Sequence, residues 1–131
     1  MTDQDQIREL IASYALLLDG GDTAACARLF TEDGEFVVYG STRTGYDGIG
    51  AMFEQAPRGM HLTGVSLIDV AGDAATGRTQ VLFVNAATHG LRLAIYDDEL
   101  ERSNGQWRFR RRRCQFITDT GLSDMPQELK Q

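Results

Sequence analysis

Proline and cysteine each occur only twice in this 131-residue chain, and tryptophan once. No run approaches the roughly 18 apolar residues of a membrane-spanning helix, so no membrane role is expected. The opening residues MTDQDQIREL are polar and acidic, unlike a secretion or transit signal. With no export signal, Cys26 and Cys114 read as free thiols of a reducing, cytoplasmic setting. Two histidines and two cysteines scattered along the chain provide no zinc-type spacing, so neither a metal nor a cofactor is expected. Basic residues are outnumbered, 13 Lys and Arg against 19 Asp and Glu, giving a net charge of −6. That balance excludes nucleic acid as a partner, since phosphate binding needs a basic surface.

The remainder is an ordinary globular composition, 42% hydrophobic and 24% charged, in a length suited to one domain. Ile7, Leu10, Ile11, Tyr14, Leu17 and Leu18 recur at helical spacing, predicting a helix over 4–18 that Asp3 or Asp5 caps and Gly20-Gly21 ends. Asp22 reads as the N-cap of a short helix over 23–30, followed by a strand over 35–39 and a third helix over 47–55. Four long β segments follow, about 59–70, 74–86, 91–102 and 106–117, punctuated by Gly72-Asp73, His89-Gly90 and Asn104-Gly105. The expected fold is therefore α+β: a single domain over 1–131, with a core at about 5–117 and a polar tail over 118–131. Its helices come first and a curved antiparallel meander after them.

Two turns fix an expected register. About Asn104-Gly105, Glu101, Glu99 and Asp97 oppose Arg108, Arg110 and Arg112 as a charge ladder. The other face carries Leu100–Phe109, Asp98–Arg111 and Tyr96–Arg113. The apolar pair marks that face as inner, so Asp98 is expected to pair with Arg111 inside. About Gly72-Asp73, His61, Thr63, Val65 and Leu67 share a face with Leu82 and Val84. Both faces of this pair are apolar, predicting helices over one and a second subunit, in a homodimer, over the other.

The polar residues suggest chemistry. His61 lies alone between Met60 and Leu62, and Asp19 stands where the first helix stops. An imidazole and a carboxylate are the raw material of a general acid/base pair, although a lone strand histidine is as readily a core residue bonded to a carbonyl. Tyr14, on the apolar helix face, and Tyr96 carry hydroxyls that need partners. Asp98 reads either as an acid/base group or as half of a buried ion pair. His89, before Gly90 in a turn, reads as exposed, and the cysteines as small core residues.

Three stretches carry a resemblance: Ile7 to Ala15 (IRELIASYA), Leu18 to Asp22 (LDGGD) and Leu29 to Phe36 (LFTEDGEF). With Gly45 to Ile49, His61-Leu62 and Gly105 to Phe109 in order behind them, the chain resembles SnoaL-like proteins of the nuclear transport factor 2-like superfamily. The resemblance covers about residues 5–117. It implies a cone of helices closing over a curved sheet around an apolar pocket, and a small hydrophobic ligand. Scytalone dehydratase and hexachlorocyclohexane dehydrochlorinase are the most similar members in their polar residues. Asp19 and His61 match the positions of their orienting aspartate and their proton-abstracting histidine. The sequence departs from scytalone dehydratase at Leu18, where that enzyme has a tyrosine, and near Leu91 to Leu93, where its second histidine has no counterpart. The reading is a dehydratase-like lyase or isomerase with His61 and Asp19 catalytic and Tyr14, Tyr96 and Asp98 binding substrate. A ligand-binding or assembly subunit without activity, and an epoxide hydrolase using Asp98 with Arg111, stay open beside it.

Overall fold

A computed structural model of the chain describes residues 1–127. Helix α1, Asp3–Asp19, begins with a capping box. Thr2 Oγ1 accepts from the Asp5 amide at 3.1 Å and Asp5 Oδ2 accepts from the Thr2 amide at 3.4 Å, so the cap is Thr2 rather than either aspartate. Its inner face is Ile7, Leu10, Ile11, Tyr14 and Ala15, all buried. After Gly20 the chain turns through Gly21 at φ +86°, where a side chain would strain the backbone and crowd the Arg58 guanidinium. Asp22 caps α2, Thr23–Ala27, by accepting from Ala25 at 3.2 Å. Strand β1, Phe30–Val38, starts five residues before its expected first residue and pairs with a short β2, Ser41–Thr44, which no periodicity announced. Helix α3 is Gly45–Gln55.

The long strands β3, Gly59–Ala71, β4, Ala74–Asn85, β5, Leu91–Ser103, and β6, Gln106–Thr118, form the antiparallel meander. Its hairpins turn where expected; Asn104 (φ 53°) and Gly105 (φ 76°) both take the left-handed backbone of a two-residue turn. The sheet order is β2-β1-β6-β5-β4-β3, and β1 joins β6 in parallel. Part of the tail is ordered as β7, Gly121–Ser123, beside β6; residues 128–131 lie outside the described residues.

Two bulges decide which side chains face inward. Between Thr63 and Ser66 the register of β3 on β4 shifts by one, so His61 opposes Phe83 and Thr63 opposes Val81, not Val84 and Leu82. Ser66 bonds the fully buried Thr79 at 2.8 Å, and Ile68 and Val70 pack on the core. Val65 and Leu67, expected on the face of His61, are 73% and 77% exposed on the other side. Between Phe109 and Arg111 a second shift makes Asp98 oppose Arg112 instead of Arg111, and moves Arg113 opposite Asp97. Arg111 lies outside near Glu35 at 3.9 Å, and Arg110 reaches Glu101 rather than Glu99, at 4.0 Å. The ladder expected from an unbroken register is thus displaced by one residue beyond Leu100.

Helix α1 lies over the concave face of this sheet, and six aromatic rings fill the join. Tyr14 stands among Phe30, Phe36, Phe53, Tyr96 and Phe109, with ring centroids 5.7 to 6.5 Å away. Burying Ile7 and Ile11 completely stabilises the docked helix by about 2 kcal/mol each. An alanine at either position would remove that contribution and leave a cavity besides.

Candidate active site

The helices and the sheet diverge at one end around a cavity of about 860 Å³, within the range of small-molecule sites. Its wall is mostly apolar: Leu18, Phe36, Val38, Met52, Phe53, Val81, Ala94 and Phe116 among others. Tyr14, Asp19, His61 and Tyr96 also line it, so four of the five site residues expected from the sequence converge there.

Asp19 ends α1 and His61 is the third residue of β3, and the two are joined twice. Asp19 Oδ1 lies 2.6 Å from His61 Nδ1, and Asp19 Oδ2 accepts from the His61 backbone amide at 2.8 Å. A carboxylate can only accept, so Nδ1 is the donor, and in the neutral ring Nε2 carries the lone pair. Nε2 has no partner among the described residues. Both side chains are largely shielded, at 15% and 20% exposure, which strengthens the contact relative to water. Phe83 flanks the imidazole, its centroid 4.7 Å away. Gly59 makes this possible, since a Cβ there would collide with the Val84 carbonyl oxygen and the Phe83 ring. Arg58 Nη2 donates to the Asp19 carbonyl at 3.1 Å, placing a cation at the negative end of α1 beside the carboxylate.

Asp98 belongs to a different structure. It is 3% exposed and does not line the cavity; its Oδ1 lies 3.1 Å from Arg112 Nε, and Arg112 is itself 1% exposed. The contact is ionic without aligned hydrogen bonds. The Arg112 guanidinium is also caged by Tyr14, Tyr96 and Phe109, at 4.2, 4.4 and 4.6 Å from their centroids. Burial pushes the Asp98 carboxyl up to about 6, with Arg112 pulling the other way. Asp98, expected to contact substrate, thus lies away from the cavity wall, and its partner is Arg112 rather than the expected Arg111, because the β6 bulge turns Arg112 inward. Burial also drives both tyrosines well above the ordinary phenol value, which keeps them protonated as donors. The Tyr14 hydroxyl approaches Tyr96 without an aligned hydrogen bond and is left unpaired.

Sequence reasoning missed Arg58, Phe83, Arg92 and the inward Arg112. Only Arg92 left a signal, as a cation alternating with Leu91 and Leu93 in a strand; the other three depend on bulges or on close packing. His89 is exposed in its turn, as expected, and both cysteines are buried and free. Among the described residues no three His, Cys, Asp or Glu side chains gather as a metal site, and no helix is long and apolar enough to cross a membrane.

Comparison with known proteins agrees with this architecture. The family model of the SnoaL-like domain matches residues 1–113. The chain belongs to the SnoaL-like family. A protein of unknown function from Mycobacterium tuberculosis is 33% identical with a TM-score of 0.79, over 85% of this chain and 69% of that one. A nuclear transport factor 2-like protein of cystatin-like fold from Novosphingobium aromaticivorans is 30% identical with a TM-score of 0.81, over 89% and 83%. A candidate scytalone dehydratase from the same organism is 25% identical with a TM-score of 0.80, over 96% and 89%. No curated protein matches the sequence. The Asp19–His61 contact thus lies within a SnoaL-like domain.

Proposed function

We propose that this SnoaL-like protein is a dehydratase or isomerase that needs no cofactor and acts on a hydrophobic, cyclic small molecule. The observation carrying this reading is the 2.6 Å contact between Asp19 and the Nδ1 edge of His61, at the wall of an apolar cavity. Asp19 orients the ring and favours the imidazolium that forms when Nε2 takes a proton from a substrate carbon. The electrons of that C–H bond become a new double bond. In an isomerisation the imidazolium returns the proton to another carbon. In a dehydration it gives the proton to the departing hydroxyl, which leaves as water. Tyr14 and Tyr96 serve as donors to a carbonyl or departing oxygen, where charge develops in an environment of low polarity. The candidate scytalone dehydratase among the similar structures supports the reaction class. Asp98 has no part in this scheme, and an Asp98–Arg111 hydrolase site is set aside with the pairing it required.

The test is proton exchange. Cyclic ketones incubated with the protein in heavy water should gain deuterium next to the carbonyl, and His61→Asn should abolish the exchange while the folded spectrum persists. Binding of such ketones without exchange would favour a ligand carrier.

A further inference from the structure

The start of β5 reverses the polarity expected of a strand that covers an apolar cavity. Leu91 and Leu93 are 61% and 48% exposed, and Arg92 between them, also exposed, lines the cavity. Arg92 opposes Phe83, and Phe83 opposes His61, so the three occupy one row across β5, β4 and β3. Two strand spacings put the Cα atoms of Arg92 and His61 roughly 10 Å apart on the same concave face, with the Phe83 ring between them against the imidazole.

Among the described residues Arg92 has neither a hydrogen bond nor an ion pair, whereas Arg78, Arg102, Arg111 and Arg113 each have a carboxylate within 4 Å. Arg58, the other arginine at this cavity, is engaged with the Asp19 carbonyl. Among the described residues the carboxylates bordering the cavity are Asp19, which His61 occupies, and Glu54 on α3. Arg92 is itself exposed, so its guanidinium meets both solvent and the cavity, where an anion can reach it; its planar fork matches a carboxylate through two parallel hydrogen bonds.

We propose that the ring substrate carries a carboxylate and that Arg92 binds it. This rests on the reading of the cavity as a substrate site. Held at that point, the acid places its ring over the His61–Phe83 pair and under Tyr14 and Tyr96. Arg92 thereby sets substrate class, while His61 sets the reaction. With a net charge of −6 the chain as a whole repels anions, so the preference arises locally at this row.

The experiment compares 2-naphthoate with its neutral isostere 2-naphthamide by calorimetric titration, with the His61 ring resonances followed by NMR. The wild-type protein should bind the acid at least about tenfold more tightly than the amide, with both probes shifting His61. Arg92→Gln should erase the preference and leave amide affinity within about twofold, and Arg92→Lys should restore part of it. Amide affinity serves as the control for folding in each variant. Equal wild-type affinities, with His61 shifted by both probes, would overturn the carboxylate assignment and leave the cavity reading standing. A preference that survives in Arg92→Gln would overturn the role of Arg92. Binding of neither probe would overturn the proposal together with the reading beneath it.

Discussion

Asp19 holds His61 at two points, the ring through Oδ1 at 2.6 Å and the backbone amide through Oδ2 at 2.8 Å. One carboxylate thereby fixes both the place of β3 against α1 and the tautomer of the imidazole. Asn at this position keeps one acceptor oxygen and loses the charge. Asp19→Asn should lower any proton-transfer rate by 10²-fold or more, with little loss of fold. Nitrogen NMR of the histidine ring should show a single Nδ1–H tautomer in the wild type and a mixture in the variant. Identical tautomer populations would show that Asp19 does not orient the ring.

Tyr14 separates catalysis from stability. Its hydroxyl is buried without an aligned partner, so Tyr14→Phe should leave stability unchanged or raise it by up to about 1 kcal/mol. Activity should fall if the hydroxyl donates to substrate. Urea unfolding beside deuterium exchange makes the comparison, and a large loss of stability would mean that the hydroxyl is paired.

The two adjacent arginines should behave oppositely. Arg111 is 40% exposed beside Glu35, and Arg111→Ala should cost less than about 1 kcal/mol. Arg112→Ala strands a buried carboxylate and removes the cation from three aromatic rings, at a cost of about 3–5 kcal/mol. Chemical denaturation measures both, and similar small losses would place Arg112 outside.

Stability should carry the signature of Asp98. Its folded value, about 6, lies above the ordinary carboxyl value of 3.8, so the folded state binds this proton more tightly than the unfolded chain. The contribution is fully present below about pH 4 and is lost as pH rises through 6. Relative to Asp98→Asn, which does not titrate there, the wild type should lose roughly 3 kcal/mol between pH 4 and pH 7. Unfolding curves of both proteins at several pH values give the difference. A difference that is flat, or that grows with pH, would contradict the dominance of burial over Arg112.

A second copy is expected on the outer sheet face. The rows Met60–Val84–Leu91 and Leu62–Leu82–Leu93 put six apolar side chains together there, and Met60, Leu62, Leu91 and Leu93 are 48–61% exposed. Sedimentation at micromolar concentration should give twice 14.5 kDa. Leu62→Glu with Leu93→Glu should give the monomer, and a monomeric wild type would refute the association.

Helix periodicity, capping residues and turn dipeptides are local properties, and they placed α1, the β3–β6 hairpins and the inward turn of Leu100 and Phe109 from the sequence alone. Residue type and place in the pattern singled out Asp19 and His61 as candidates, and the resemblance matched them to catalytic positions. Their meeting, across 42 residues, is decided by the docking of α1 on β3, which no local pattern encodes. The two bulges lie beyond sequence alternation for a related reason. One extra residue in a strand reverses every side chain beyond it, and it is the packing of whole faces that selects that residue. Thus the unbroken register expected from the sequence paired Asp98 with Arg111 and set Arg112 on the outer face. The tertiary structure chose Arg112 because only the shifted register buries Cys114 and Phe116 on the same face as Phe109. In β3 the same effect brings His61 into the cavity while Ser66, Ile68 and Val70 also face the core.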